Sequence, residues 1–156
     1  MARDLRTQAA YVLGTWFGCG KVPLAPGTAG TLGAIPLYVL LRPHGLWTIA
    51  VAAALATFVG VWAAHIIVDD TKLHDPQIVV IDEVAGVLIT LLVAPFTFAG
   101  ILAGFVLFRL FDQFKPWPAR AAEKWPRGWG VVMDDVFAGV WGAVVLYALV
   151  YAKVVT

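Results

Sequence analysis

The chain has 156 residues, of which 61% are hydrophobic and only 13% charged, with a mean hydropathy of +0.84 and a formal charge of +1. That balance lies outside the range of an ordinary soluble domain and makes a bilayer the simplest solvent. The near-neutral charge lacks the dense basic face with which proteins meet nucleic acid.

No linker or low-complexity stretch divides the sequence, so it reads as a single domain over residues 1–156. Arg3 and Arg6 precede an apolar stretch without a small-residue cleavage site, which predicts an amphipathic, interfacial helix kept in the mature protein. Cys19 is the sole cysteine; it forms no internal disulfide, lacks the companions of a zinc site and reads as a packing residue. The segment GKVPLAPGTAGT, residues 20–31, follows. Its glycines permit close backbone approach, Thr28 or Thr31 suits a helix start, and free N–H groups there attract anions, with Lys21 beside them. A rigid capped turn explains the same glycines and prolines equally well, and the segment lacks the order of a nucleotide-binding P-loop.

Thr28 to Leu41 is a short apolar run closed by the turn Arg42-Pro43-His44-Gly45. Leu46 to Val68 contains no Lys, Arg, Asp or Glu and is long enough to cross a hydrocarbon core of about 30 Å. Asp69, Asp70 and Asp75 come next, then Ile78 to Ile81, strand-like in composition but read as the entry to the following helix. Asp82 and Glu83 open that helix. The apolar region 84–108 is broken at Ala94-Pro95-Phe96, because proline lacks a donor and clashes with a continuing helix; a hairpin of two short helices is favoured over a kinked span. In FRLFDQFKPWP, residues 108–118, Arg109, Asp112 and Lys115 recur every third position and are expected on one helical face. Asp134 and Asp135 are expected to precede the last apolar helix, Val136 to Val155, whose Lys153 can reach toward head groups.

The expected fold class is therefore all-α: a compact helical integral membrane bundle with short helical hairpins and a polar face. The hairpin gathers Lys21, Lys72, Arg109, Lys115, Arg120, Lys124 and Arg127 on that face, which the positive-inside tendency assigns to the cytoplasm. A soluble bundle with an unusually apolar core is the competing reading. Tryptophans near segment ends at Trp16, Trp47, Trp117, Trp125 and Trp129 favour a membrane interface.

Most of the ten acidic residues fall in tight groups at the ends of apolar segments. Carboxylates are costly to dehydrate, so such groups call for a divalent cation or a basic partner. The ligands on offer are hard oxygens, and His44, His65 and His74 are scattered, so Mg²⁺ is preferred to zinc. Taken singly, the Asp82–Glu83 pair also reads as helix N-terminal charge, and the 109/112/115 stripe as an intrahelical ion pair.

Taken in order, GKVPLAPGTAGT, DPQIVVIDEVAG, FRLFDQFKPWP and GWGVVMDDVFAG resemble the phosphatidylglycerophosphatase A family over about residues 14–139. One departure is Arg127-Gly128-Trp129-Gly130, where another glycine is expected near 127. The resemblance implies a bacterial inner-membrane enzyme, active face toward the cytoplasm, that releases the terminal phosphate of phosphatidylglycerol phosphate with Mg²⁺ and leaves phosphatidylglycerol among the membrane lipids. Asp82, Glu83, Asp134 and Asp135 are then the expected metal ligands. Asp82, Asp134, Arg109 and Lys115 are the expected catalytic residues. Lys21 and Thr28 would join Arg109 and Lys115 at the phosphate, with Asp69, Asp75 and Asp112 in support. Water is the expected nucleophile, with attack by an aspartate as the alternative. The competing functions are a small cation carrier, opposed by acids lying at segment ends, and a noncatalytic lipid-binding protein. Oligomeric state is not legible.

Overall fold

Residues 4–156 of the computed structural model are described, and among them the chain forms seven α-helices and no strand. Arg3 lies outside these residues. Helix α1 (Leu5–Gly14) starts at Asp4, whose carboxylate accepts the Thr7 N–H at 2.8 Å. Beyond α1, Trp16, Phe17 and Gly18 take left-handed φ values of 46°, 55° and 100°, which turn the chain back on itself. The Trp16 indole N–H then donates to the Gly33 carbonyl at 3.0 Å, tying this turn to α2 (Pro26–Leu41). Pro26 sits in the first turn of α2, where its missing N–H leaves no helical bond unmade.

Helix α3 (Leu46–Thr71) has 26 residues, about 39 Å at 1.5 Å per residue, and is apolar enough to cross a membrane. Helix α4 (Ile81–Leu91) has only 11 residues, about 16 Å, and cannot cross one. The chain turns at Ala94-Pro95-Phe96, and Thr97 caps α5 (Phe98–Phe114) by accepting the Gly100 N–H at 3.1 Å. This is the expected hairpin. A short α6 (Ala119–Ala122) follows, then α7 (Gly128–Tyr151), the second helix long and apolar enough to span.

Two local expectations are corrected. Lys115 does not continue the helical stripe of Arg109 and Asp112; it ends α5 in a left-handed conformation, φ 44°, because Pro116 disfavours right-handed helix at the residue before it. Asp134 and Asp135 do not precede the last helix. They lie inside α7, which begins at Gly128, where a Cβ would sit 2.4 Å from the Val61 carbonyl oxygen. The chain can start α7 so close to α3 only with glycine there.

Helix α4 is the most enclosed element: Val84, Ala85, Val87, Leu88 and Leu91 are completely buried among α2, α3, α5 and α7. Its closest neighbour is α7. A Cβ on Gly139 would lie 2.4 Å from the Gly86 carbonyl oxygen, and the Thr90 hydroxyl, inside the contact, donates to the Gly139 carbonyl at 3.0 Å. Small residues and an interhelical hydrogen bond are the means by which helices associate where apolar burial gives no drive between them. Large apolar side chains face outward instead, including Leu55 and Phe58 on α3 and Val144 and Tyr147 on α7.

The helix ends sort by polarity. The starts of α2, α4 and α7 and the end of α5 meet around one polar cleft. At the other end the α4–α5 turn touches the chain terminus, where the Thr97 hydroxyl donates to the Thr156 carbonyl at 2.9 Å, and the Phe96 ring packs edge-on against Tyr38.

Candidate active site

The cleft encloses about 480 Å³. Helix α2 gives Pro26, Gly27 and Thr28; the α3–α4 connection gives Asp75 and Gln77; α4 gives Asp82 and Glu83; α5 gives Arg109, Asp112 and Gln113; Lys115 follows, and α7 gives Asp134 and Asp135. Six carboxylates (75, 82, 83, 112, 134, 135) thus face two cations (109, 115). Asp82, Asp112, Asp134 and Asp135 are each buried to 7% exposure or less. Asp82 is repelled by Glu83 and Asp134, and Asp135 by Asp112, Asp82 and Asp134, so residues 82, 134 and 135 converge on one side of the molecule.

Two ion-pair clusters organise the walls. Arg109 pairs with Glu83 and, at 2.9 Å, with Asp112; the Thr31 hydroxyl donates to Glu83 Oε2 at 2.8 Å. Gly27 makes room for this cluster, since a Cβ there would sit 2.0 Å from Glu83 Oε1. Burial, only partly countered by Arg109, raises the Glu83 carboxyl above its ordinary value. On the other wall the Lys115 ammonium donates to Asp134 Oδ2 at 2.7 Å and to Glu123 Oε1 at 3.2 Å. Burial works against the charge of Lys115, but Asp134, Asp135 and Glu123 outweigh it, and the amine is held above its ordinary value.

Asp82 and Asp135 have no ion-pair partner among the described residues. The Asp82 carboxylate accepts only the Glu83 backbone N–H, at 3.0 Å, and burial together with Glu83 and Asp134 pushes it well above its ordinary range. Buried acids without a cation, offering hard oxygen donors, suit a divalent ion of the Mg²⁺ kind. The donor chemistry fits. Among the described residues, however, no three His, Cys, Asp or Glu side chains are already gathered as a ligand cage.

Not every expected residue reaches the cleft. Lys21 lines a separate hollow with Tyr11, Val12 and Phe17 and is not among the residues lining the cleft. Asp69 pairs with Arg127 at 3.0 Å at the end of α3, and His65 Nδ1 lies 2.7 Å from the Val61 carbonyl, so neither residue lines the cleft. Arg127 itself stands at the start of α7 with φ 55°, a conformation that favours glycine, at the position where a glycine was expected. Thr31, Glu123, Gln77 and Gln113 were not expected at the site. Thr31 was readable as one of two hydroxyls in a glycine-rich loop, whereas nothing in the sequence pairs Glu123 with Lys115.

The sequence pattern of the family described as phosphatidylglycerophosphatase A matches residues 12–150. Phosphatidylglycerophosphatase A of Escherichia coli is 38% identical over 141 residues, covering 88% of this chain and 81% of that one. The protein of the same name from Haemophilus influenzae is 37% identical over 144 residues, covering 90% and 88%. A protein of Bacteroides thetaiotaomicron, named provisionally as a phosphatidylinositol-3-phosphatase, is 44% identical over 143 residues, covering 86% and 89%. No solved structure matches the chain.

Proposed function

From the premise that this chain belongs to the phosphatidylglycerophosphatase A family, and is a membrane-associated bacterial phosphatase, we propose that it hydrolyses the terminal phosphomonoester of phosphatidylglycerol phosphate, with Mg²⁺, at the cleft. The observation that carries this reading is the meeting of Asp82, Asp134 and Asp135 with Arg109 and Lys115 in one cavity at the polar end of the helices. We place that end at the cytoplasmic face of the bacterial inner membrane, on the charge distribution of the loops.

Asp82, Asp134 and Asp135 would hold the ion, which supplies a Lewis acid for a phosphoryl oxygen and lessens the repulsion between the phosphate and the carboxylates. Glu83 is reassigned: with Arg109 and Thr31 already on it, it orients the guanidinium rather than the metal. Arg109 grips two phosphoryl oxygens through its paired donors, and Lys115, charged throughout the physiological range, stands as a point charge at the leaving side. Water attacks phosphorus and gives its proton to a cleft carboxylate that the ion leaves free. The bond to the glycerol oxygen breaks, and that oxygen takes up a proton. Fixed charges in a buried cleft act where charge is redistributed over the transferring group.

The test is phosphate release by the purified protein from phosphatidylglycerol phosphate in neutral micelles, with Mg²⁺ and with chelator. Turnover that needs the ion supports the reading; none on this lipid in either condition sinks it. Phosphatidylinositol 3-phosphate belongs in the same panel, because the name of the Bacteroides relative brings that monoester forward as a second reading.

A further inference from the structure

Beside the acidic cleft lies a second hollow, about 380 Å³, of opposite character. Phe114, Lys115, Trp117, Arg120 and Lys124 line it, and no carboxylate does. Lys115 belongs to both hollows, so they share a wall. The shared lysine is already engaged by Asp134 and Glu123, but the other two cations are not balanced. Arg120 makes only a long contact, 3.5 Å, to the Phe114 carbonyl, and Lys124 has no acidic partner among the described residues. Phe114 and Trp117 stand 68% and 79% exposed at the rim, where an apolar ring meets the boundary between head groups and acyl chains.

Resting on the function proposed above, we propose that this hollow seats the substrate's inner phosphodiester, the phosphate that joins the head group to diacylglycerol. A lipid with a terminal monoester carries two phosphates separated by a small polyol. The acidic cleft accepts the outer one with its cation; the basic hollow across Lys115 offers Arg120 and Lys124 to the inner one, with Phe114 and Trp117 against the glycerol and the first methylenes. The site then selects monoesters attached to a phosphodiester-linked head group, and Arg120 and Lys124 set that specificity.

The experiment compares wild type with Arg120→Gln, Lys124→Gln and the double variant in uncharged detergent micelles that contain phosphatidylglycerol phosphate and no other anionic lipid. The double variant is expected to raise KM about tenfold, as the loss of charge-assisted phosphate contacts implies, with kcat held within about twofold and inhibition by inorganic phosphate, a probe of the outer site, unchanged. An unaltered KM overturns the proposal. So does weakening of phosphate inhibition by the same factor as KM, which would place the two cations at the outer phosphate. An effect that appears only after phosphatidylglycerol is added to the micelles also overturns it, because the hollow would then hold a bystander lipid. Absence of any phosphate release by wild type would instead defeat the functional reading and is distinguishable from all three.

Discussion

Glu83 and Asp82 are neighbours in sequence, yet their surroundings give them different work. Glu83 is held by a guanidinium and a hydroxyl, whereas Asp82 is buried with no cation beside it. Replacing Asp82 or Asp134 by asparagine keeps the volume and removes the charge. Each variant is expected to lose about 100-fold or more of kcat, the scale on which single electrostatic groups act in transition states, while still unfolding in one cooperative thermal transition without the metal. Near-normal phosphate release by either purified variant would refute the assignment. The raised carboxyls also set a pH dependence. Asp82 and Glu83 titrate above their ordinary values of 3.8 and 4.5, so between those values and the raised ones the folded chain binds more protons than the unfolded chain. Stability therefore falls as pH rises through that window. In chelator-treated protein the thermal midpoint should drop as pH rises above the ordinary carboxylate range, and Mg²⁺ should narrow the difference because the ion competes with those protons. A midpoint that climbs there without divalent ion would contradict the assignment.

At the scale of the element, the contact between α4 and α7 depends on atoms that are absent. Gly139→Val would force a side chain against the Gly86 backbone and the Thr90 bond, and the helices can separate only by disturbing Asp82 on one and Asp134 on the other. The expected result is about 1–3 kcal/mol of destabilisation, read as a lower thermal midpoint, together with lost turnover. Unchanged values for both would show that the contact is looser than described. The entry to α7 is the opposite case. Arg127 holds a left-handed φ of 55° and repays part of that strain through a half-exposed pair with Asp69. Glycine relieves backbone strain of about 1 kcal/mol, and an exposed ion pair returns at most about that much. Arg127→Gly should leave the thermal midpoint level or slightly raised; a clear drop would mean that the pair outweighs the strain.

Across the whole molecule, the parts legible from sequence are those governed by one dominant cost. A run free of charge from Leu46 to Val68 has few alternatives to a long helix, and Pro95 disfavours continuing one, although α2 accommodates Pro36, so the hairpin followed. The polar end was legible too, because charged loops on one side leave few ways to arrange the acids. The boundaries near residues 115 and 134 were not. Charged residues beside an apolar run look like its edge, yet Asp134 sits inside α7 because Lys115 and the cleft meet its carboxylate there. Lys21 shows the reverse error: adjacency to a glycine-rich loop suggested a shared site, and the left-handed turn at residues 16–18 carries it elsewhere.

The helices differ greatly in reach. Helices α2 and α5, with 16 and 17 residues, extend about 24–26 Å, while α3, with 26, extends about 39 Å. Beside helices as short as α2 and α5, local thinning of the leaflet is one accommodation of the mismatch, at a cost of a fraction of a kcal/mol per ångström. Thinning there is expected to bring head groups toward the mouth of the cleft, which the start of α2 and the end of α5 help to line. Carrier bilayers of short acyl chains should therefore support faster turnover than long-chain ones of the same charge, and indifference to chain length would show that lipids enter without any such deformation.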